Sequence, residues 1–468
     1  MKRLFISIAV ILLVAVLAIG TGTGCANIVP PSGGPRDSLP PVLVNATPAD
    51  STLNFRGNRI VLTFDEYIDL QEVQNNLLFT PTFETNPIIE AKLRTLTIRL
   101  KDTLEANTTY TFNFGNAVTD VNENNVLRNF AYTFSTGSYI DSLTLSGNVL
   151  LAETGAVDTT LTVLLHNTQD DSAVVKSRPR YVARLNSEGN FTFRNLPADT
   201  FAIYVLGDAG ITRRYTSKSQ LFAFSNTPVV TPDTGRLTLY AYRETPQQPT
   251  GNTGTTTTPT QNRGEKRLLY STNLASNQQD LNENLVFTFD RPLRFFDSTK
   301  IALSTDSSFT PVDAYTTTLD TTKKILTLQT AWQPDRPYQL LLSQDFAEDT
   351  LGRRLLKSDT LAFNTRGFGD YSTLNIRLRN LDTTRNPVLQ FIQNGNVTFS
   401  APVKTGVFSQ QLFLPGDYDL RLLYDTNGNG KWDPGQFFGT RKQPELVRPI
   451  ERKLTVKTGT NTNLEIPL

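Results

Sequence analysis

Oxygen-bearing side chains recur at alternate positions in one short run near the C-terminus, and this run is the clearest candidate for chemistry in the chain. It reads DTNGNGKWDPG and begins at Asp425. Counted from Asp425, the side chains of Asn427, Asn429 and Asp433 fall at positions 3, 5 and 9, and the carbonyl of Lys431 falls at position 7. Calcium takes six to eight oxygen ligands and is bound by loops with this spacing. The spacing therefore predicts a calcium site.

Two features leave a second interpretation of this loop open. Gln436 stands at position 12, where a calcium loop normally carries a bidentate Glu, and no helical pattern flanks the run. A hairpin loop rich in Asn and Gly needs the same residues for its turns. Trp432 lies inside the loop. It could stack on a sugar or a partner as a binding residue, or it could pack under its own loop.

The chain has one Cys and one His, Cys25 and His166, and this limits its chemistry. No disulfide can form within the chain, and no His/Cys zinc site can be assembled. A Ser-His-Asp triad would need His166, which follows an apolar run and is more typical of a strand end or a turn. A glycosidase needs neither residue, but Asp65 and Glu66 are adjacent on a predicted strand and would face opposite sides. We predict no enzymatic activity.

Composition favours strands over helices. The chain has 468 residues, with 28 Phe and a single Met, a length that indicates roughly three or four domains. Its 45 Lys and Arg residues balance 44 Asp and Glu residues. No basic surface is indicated, so a nucleic-acid partner is not expected.

One segment occurs twice. Residues 60–70, IVLTFDEYIDL, match residues 285–295, LVFTFDRPLRF, and the surroundings match too. Tyr110 corresponds to Tyr338, and the turn-rich run that starts at Asp120 aligns with the run that starts at Glu348. Trp332 then occupies the position of Leu104, which predicts that it is a core residue and not a sugar-binding platform.

A second segment also occurs twice. Apolar residues alternate at Phe191 and Phe193, and they alternate again after Leu196-Pro197, from residue 201 to residue 205. The same pattern follows Leu414-Pro415. We interpret residues 189–208, GNFTFRNLPADTFAIYVLGD, as a hairpin of two paired strands.

These repeats predict an all-β fold of tandem β-sandwich modules in the order A-B-linker-A-B. Residues 244–265 lack aromatic and large aliphatic side chains, which is typical of a disordered linker. The predicted divisions are a signal peptide (1–24), an extended stalk (25–38), module 1 (39–137), module 2 (138–243), the linker (244–265), module 3 (266–367) and module 4 (368–468).

The N-terminus predicts export. Residues 1–24 carry two basic residues, an apolar run and then small residues, which together form a secretory signal. Cys25 directly follows Gly24, as at a bacterial lipoprotein cleavage site, so we expect lipidation of Cys25. Ordinary cleavage that leaves a free thiol is the alternative. More than one acyl chain would give a stable membrane anchor.

The run PPSGGPRDSLPP at residues 30–41, followed by TFDEYIDL, resembles the N-terminus of Bacteroidetes lipoproteins with bacterial Ig-like domains of the type found in S-layer proteins. Modules 2 and 4 resemble small prealbumin-like or carboxypeptidase-regulatory sandwiches. The resemblance implies an envelope location and no established reaction. Residues 27–31 carry no charge, which favours the periplasmic face of the outer membrane over the cell surface.

The sequence thus predicts a lipid-anchored structural or protein-interaction module of the cell envelope, with a membrane and an envelope protein or glycan as partners. The alternative is a glycan-binding accessory lipoprotein of an uptake or degradation system.

Overall fold

The computed structural model describes residues 36–207, 213–232, 235, 237–245, 267–305, 312 and 314–468, without the side chains of residues 74 and 75. The chain divides into two compact units, residues 1–141 and residues 142–468. The boundary falls four residues after the predicted end of module 1. The predicted signal peptide, Cys25, most of the stalk and most of the linker lie outside the described residues.

The first unit contains nine described strands and one short helix. The strands are β1 Leu43–Thr47, β2 Arg59–Phe64, β3 Ile68–Leu70, β4 Leu78–Thr80, β5 Ile88–Lys92, β6 Thr95–Arg99, β7 Thr109–Gly115, β8 Val118–Asp120 and β9 Phe130–Ser135, with helix α1 at Val73–Asn76. They form a sheet β1-β2-β6-β5, a sheet β4-β7-β9 and a two-stranded ribbon β3-β8.

The alternation of buried and exposed side chains along each strand explains why the two sheets pack as a sandwich. Along β2, Ile60, Leu62 and Phe64 are buried while the residues between them are more exposed. Phe112 and Phe134 contribute from the second sheet to the same core. Because side chains alternate across a strand, each sheet presents one apolar face, and the two faces pack together.

The second unit contains the strands of modules 2, 3 and 4. Module 2 has β10 Leu143–Leu151, β11 Thr162–His166, helix α2 Ala173–Lys176, β12 Tyr181–Arg184, β13 Asn190–Leu196, β14 Thr200–Leu206, β15 Phe222–Phe224, β16 Val229–Val230 and β17 Leu237–Ala241. Module 3 has β18 Tyr270–Thr272, β19 Gln278–Gln279, β20 Leu285–Phe289, β21 Leu293–Phe296, β22 Ile301–Ser304, β23 Tyr315–Leu319, β24 Ile325–Thr330, β25 Pro337–Leu342, β26 Ala347–Asp349 and β27 Asp359–Thr365. Module 4 has β28 Ser372–Arg379, β29 Pro387–Gln393, β30 Asn396–Pro402, β31 Val407–Phe413, β32 Gly416–Tyr424, β33 Leu446–Val456 and β34 Asn461–Pro467. Short 3₁₀ helices occur at Ser298–Lys300, Phe368–Asp370 and Thr383–Arg385.

The strand order of module 1 recurs in module 3. Its sheets are β18-β20-β24-β23, β19-β27-β25-β22 and the ribbon β21-β26. Strand β20 takes the place of β2, and the ribbon β21-β26 takes the place of β3-β8. The additional strand β19 pairs in parallel with β27, where module 1 has a single parallel bridge between Thr52 and Phe134.

Modules 2 and 4 also share a strand order. Module 2 has the sheets β13-β10-β17 and β12-β11-β14-β15, and module 4 has β31-β28-β34 and β30-β29-β32-β33. In both modules the first strand pairs in parallel with the last strand. The all-β prediction is confirmed, and each module has its own apolar cluster.

The hairpin predicted within residues 189–208 is wrong. Strand β13 pairs with β10 in one sheet, and β14 pairs with β11 and β15 in the other. Both strands turn apolar side chains into the same core, so alternation is equally compatible with pairing and with facing across a sandwich.

The predicted alignment of Asp120 with Glu348 is wrong by one residue. Asp120 pairs with Ile68 at the end of its ribbon, and Asp349 pairs with Leu293 at the equivalent point. Both are buried. Asp120 accepts hydrogen bonds from the backbone N–H groups of residues 123–125, and Asp349 accepts from those of residues 351 and 353. The common feature is a carboxylate that holds the following turn.

Among the described residues, no helix has both the length and the apolar character that crossing a bilayer requires.

Candidate functional site

The predicted calcium loop connects β32 to β33, the two strands that follow one another at the edge of a module 4 sheet. Asp425 directly follows β32 and is buried. Its Oδ1 accepts hydrogen bonds from the N–H groups of Gly428 and Asn429, at 2.7 and 3.3 Å, and its Oδ2 accepts from Gly430 at 2.6 Å. Asp425 therefore holds the turn in the way that Asp120 holds the turn in module 1.

The other predicted ligands lie in the same loop. Asp433 Oδ2 accepts hydrogen bonds from the side-chain amides of Asn427 and Asn429, the latter at 2.8 Å. Asn429 Oδ1 accepts from the N–H of Lys431 at 2.7 Å. In this arrangement the amide nitrogens of both Asn residues face Asp433. A bound cation would need the amide oxygens there, and rotation of each amide exchanges the two atoms.

Sequence reasoning missed a second buried carboxylate that bonds to this loop from outside it, Glu445. Its Oε1 accepts hydrogen bonds from the N–H and the hydroxyl of Thr426, both at 2.7 Å, and its Oε2 accepts from the N–H of Asp433 at 3.1 Å. Glu445 thus joins the two ends of the loop. It comes 12 residues after Asp433, and no local spacing rule indicates that it returns to the loop.

Trp432 packs under its own loop. The ring lies against Val388, Leu423 and Val447, and its Nε1 donates a hydrogen bond to the carbonyl of Glu445 at 2.8 Å. The indole is therefore partly buried and braces the loop against the outer face of the module 4 sheet.

In the described part of the chain, no group of three or more His, Cys, Asp or Glu side chains is arranged to hold a metal ion. The calcium site of Asp425, Asn427, Asn429, Lys431 and Asp433 stays a prediction. What the structure shows is a loop whose shape is fixed by its own carboxylates.

Immediately after this loop, residues 435–445 leave module 4 and pack on module 2. We call these residues the clasp segment. Phe437 is fully buried, and its ring centre lies 5.6 Å from that of Tyr204, 5.0 Å from that of Phe222 and 4.9 Å from that of Phe224. The face of the sheet that contains β14 and β15 is thus covered by an aromatic side chain from module 4.

Polar contacts surround this aromatic centre. Arg441 forms an ion pair with Asp171 and donates a hydrogen bond to the carbonyl of Ser225 at 2.8 Å. Gln443 Nε2 donates to the carbonyl of Phe224 at 3.1 Å, and the N–H of Phe437 donates to the Glu244 carboxylate at 3.1 Å. The contact therefore satisfies polar groups at its rim and buries apolar surface at its centre, as stable interfaces do.

His166 lies at the end of β11, as predicted, and it is buried against Tyr204, with ring centres 5.7 Å apart. None of the described residues forms a hydrogen bond with its Nε2. Burial lowers the pKa of His166 to about 4. The side chain is therefore neutral at physiological pH and packs against the Tyr204 ring.

The remaining candidate residues also have structural positions. Trp332 is a core residue, as predicted, and its Nε1 donates to the carbonyl of Glu283 at 2.9 Å. Asp65 and Glu66 do not lie on a strand, because β2 ends at Phe64 and both residues fall in the bend that follows. Cys25 lies outside the described residues.

Comparison with known proteins identifies one domain. Residues 37–136 match the bacterial Ig-like domain family, which confirms the Ig-like prediction for that part of the chain. No curated protein matches the sequence.

Solved structures give weaker likenesses. The Bacillus anthracis TIE protein is 11% identical, with 94% of this chain and 76% of that chain covered, at a TM-score of 0.17. BcpA, the major pilin subunit of Bacillus cereus, is 8% identical, with 70% and 99% covered, at a TM-score of 0.17. The S-layer protein rSbsC(31-844) is 9% identical, with 90% and 67% covered, at a TM-score of 0.16. These scores are too low to describe a shared overall arrangement.

Proposed function

We propose that this chain is a non-enzymatic, lipid-anchored protein of the cell envelope that acts as a spacer and protein-interaction module. Cys25 carries the acyl chains, in the periplasmic leaflet of the outer membrane. The observation that supports the spacer role best is the clasp segment, which docks module 4 on module 2.

The clasp segment restricts movement between these modules. Domains joined only by short linkers move relative to one another unless a large apolar interface holds them. Here Phe437 is buried among three aromatic rings of module 2, and the N–H of Val447 donates a further hydrogen bond to the carbonyl of Ala152 at 2.9 Å. A unit held in this way keeps a fixed shape, which a spacer requires.

The buried polar residues support a structural role. Asp120, Asp349, Asp425 and Glu445 each accept backbone hydrogen bonds within turns. A catalytic carboxylate would instead have to present an oxygen to a substrate. These carboxylates therefore stabilise turns of the backbone.

Both Trp residues of the chain are used in packing, Trp332 in the core of module 3, as predicted, and Trp432 beneath its loop. The glycan-binding alternative rested on Trp432, so no observation favours it over the spacer role.

The anchor can be tested by expressing the full chain and the Cys25→Ala variant in a bacterium that acylates lipoproteins. The wild type should incorporate a labelled fatty acid and sediment with the outer membrane, whereas the variant should do neither. Protease treatment of intact cells should leave the wild type uncut if it faces the periplasm. An unlabelled wild type that stays in the soluble fraction would contradict the proposal.

A further inference from the structure

Three exposed apolar residues lie close together at one end of the first unit. Tyr67, Leu93 and Val121 are 48%, 64% and 53% exposed. Backbone hydrogen bonds place them side by side, because the N–H of Val121 donates to the carbonyl of Tyr67 at 3.0 Å and the N–H of Ile68 donates to the carbonyl of Leu93 at 2.9 Å. We call Tyr67, Leu93 and Val121 the apolar tip.

The duplication in this chain supplies an internal comparison. The same backbone hydrogen bonds occur in module 3, from Thr350 to Pro292 and from Leu293 to Lys323. In the second copy, Pro292 therefore occupies the position of Tyr67, Lys323 that of Leu93 and Thr350 that of Val121. The Ig-like fold does not require large apolar side chains at these positions, so the apolar tip needs another explanation.

Leu93 shows most clearly that the fold does not require an apolar side chain at these positions. Its φ of 55° lies in the left-handed region, and Lys323 has a φ of 57°. A branched apolar residue gains nothing from this conformation, which favours Gly or Asn. An exposed Leu here costs the folded state both backbone strain and apolar exposure.

The described chain begins at the same end of the unit. A side-chain N–H of Arg36 approaches the carbonyl of Glu123 at 3.5 Å, and Asn125 Nδ2 donates to the carbonyl of Asp37 at 3.2 Å. Glu123 and Asn125 belong to the turn that follows Val121. Eleven residues lead from Cys25 to Arg36, and they reach about 40 Å at most. An anchor at Cys25 therefore keeps the apolar tip within that distance of the bilayer surface.

The chemistry of the apolar tip fits a lipid headgroup region. Tyr is enriched at membrane interfaces because its ring is apolar and its hydroxyl is polar. The Arg94 guanidinium lies 5.5 Å from the centre of the Tyr67 ring, where it can reach a phosphate while its stem stays on apolar surface. A tether also raises the local concentration of the surface, so a small patch is enough for binding.

Acidic side chains near the apolar tip determine whether it prefers zwitterionic or anionic lipid headgroups. Asp37, Asp65 and Glu123 surround Glu66, and burial followed by the charges of neighbouring carboxylates raises the pKa of Glu66. These carboxylates offset the positive charges of Arg36 and Arg94, so the rim presents no net basic surface to anionic headgroups.

We infer that the apolar tip of the first unit docks on the zwitterionic phospholipid surface to which Cys25 anchors the chain. This inference rests on the proposed lipid anchor. It adds that the first unit lies against the bilayer and does not swing freely on its stalk.

The experiment uses the acylated full chain, reconstituted into phosphatidylethanolamine vesicles that carry a lipid-bound quencher. Leu93→Cys and Lys323→Cys are labelled separately with an environment-sensitive thiol dye. The two sites match in backbone conformation and exposure. The dye at position 93 should be blue-shifted and quenched, and the dye at position 323 should be neither. Equal emission and equal quenching at both sites would overturn the inference. The same result is expected if the apolar tip binds a protein and not a lipid surface.

A second variant tests the role of the apolar side chains. Adding Tyr67→Asn and Val121→Asn to labelled Leu93→Cys should weaken docking about a hundredfold, because each buried apolar side chain contributes roughly tenfold. Replacing part of the lipid with phosphatidylglycerol should reduce quenching. Undiminished quenching in either case would contradict docking by the apolar tip on a zwitterionic surface.

Failure of the anchor is detected separately. The wild type has Cys25 as its only thiol, so it takes up the dye only if Cys25 is free. A labelled wild type would contradict the proposed anchor, whereas an unlabelled wild type combined with unquenched dye at position 93 would contradict the docking alone.

Discussion

Buried carboxylates fix the turns of this protein at the level of single residues. Burial would raise the pKa of Asp120, but hydrogen bonds from the backbone N–H groups of residues 122–125 outweigh it and hold the pKa below its ordinary value. Asp349 follows the same logic with Arg353 as an additional partner. A carboxylate with several N–H donors remains charged in the interior because the donors replace its hydration.

The single His gives a pH-dependent prediction. Burial lowers the pKa of His166 from 6.5 to about 4, so the unfolded chain binds more protons than the folded chain between these values. Stability is complete above pH 6.5 and falls as the pH drops towards 4. Between pH 7 and pH 5, we expect the second unit to lose about 2 kcal/mol of unfolding free energy through this residue.

His166→Gln should remove this contribution. Urea unfolding of the wild type and of the variant at pH 7 and pH 5 provides the measurement. The variant is the control, because its carboxylates titrate in the same pH range as those of the wild type. An equal loss of stability in the wild type and the variant would show that His166 is accessible to protons when folded.

Calcium binding by the loop from Asp425 to Asp433 is a further prediction at this scale. Extracellular calcium modules bind with dissociation constants of about 10⁻⁴–10⁻³ M. At about 10 mM calcium such a site would stabilise the folded chain by roughly 1–3 kcal/mol. Titration calorimetry of the full chain should detect heat that Asp433→Asn abolishes, and a titration without heat would rule the site out.

At the scale of elements, sequence periodicity predicted which segments become strands. Alternating apolar residues predicted β13 and β14, and the repeated segment related β20 to β2. Periodicity did not predict partners, because β13 and β14 show the alternation of a hairpin and lie in different sheets. It placed Trp332 in the core through alignment with Leu104, but Glu445 returns to its loop from a distance that no local pattern encodes.

The contribution of the clasp segment can be measured through Phe437. Its side chain is fully buried between modules, so Phe437→Ala should cost about 3–5 kcal/mol. Most of this loss should appear as uncoupling of modules 2 and 4, because the core of module 4 is a separate cluster. Calorimetry of the full chain should then show an additional transition at lower temperature.

Phe438 provides the matched control. It is adjacent in sequence and 39% exposed, with its ring centre 6.2 Å from that of Tyr215. Phe438→Ala should change the melting profile by much less than Phe437→Ala. Equal effects would mean that general loss of an aromatic side chain, and not the buried contact, explains the result.

At the scale of the whole molecule, the strand orders of modules 1 and 2 recur in modules 3 and 4. Module 2 has an aromatic outer face, and the clasp segment of module 4 covers it. The sequence predicted four modules with separate cores, and their apolar clusters agree with that. It did not predict the docking, because Asp171 and Arg441 are 270 positions apart and no periodic pattern connects them.

The most direct test of this account is a cross-link between modules 2 and 4. Asp171→Cys and Arg441→Cys replace a partly exposed ion pair, whose loss costs about 1 kcal/mol or less, and leave Phe437 in place. In the acylated full chain, a short bifunctional thiol reagent should join the two positions within one molecule. The cross-link should disappear in urea and weaken when Phe437→Ala is added. Absence of the cross-link in the native chain, with both thiols reactive, would contradict a docked second unit and the spacer role that depends on it.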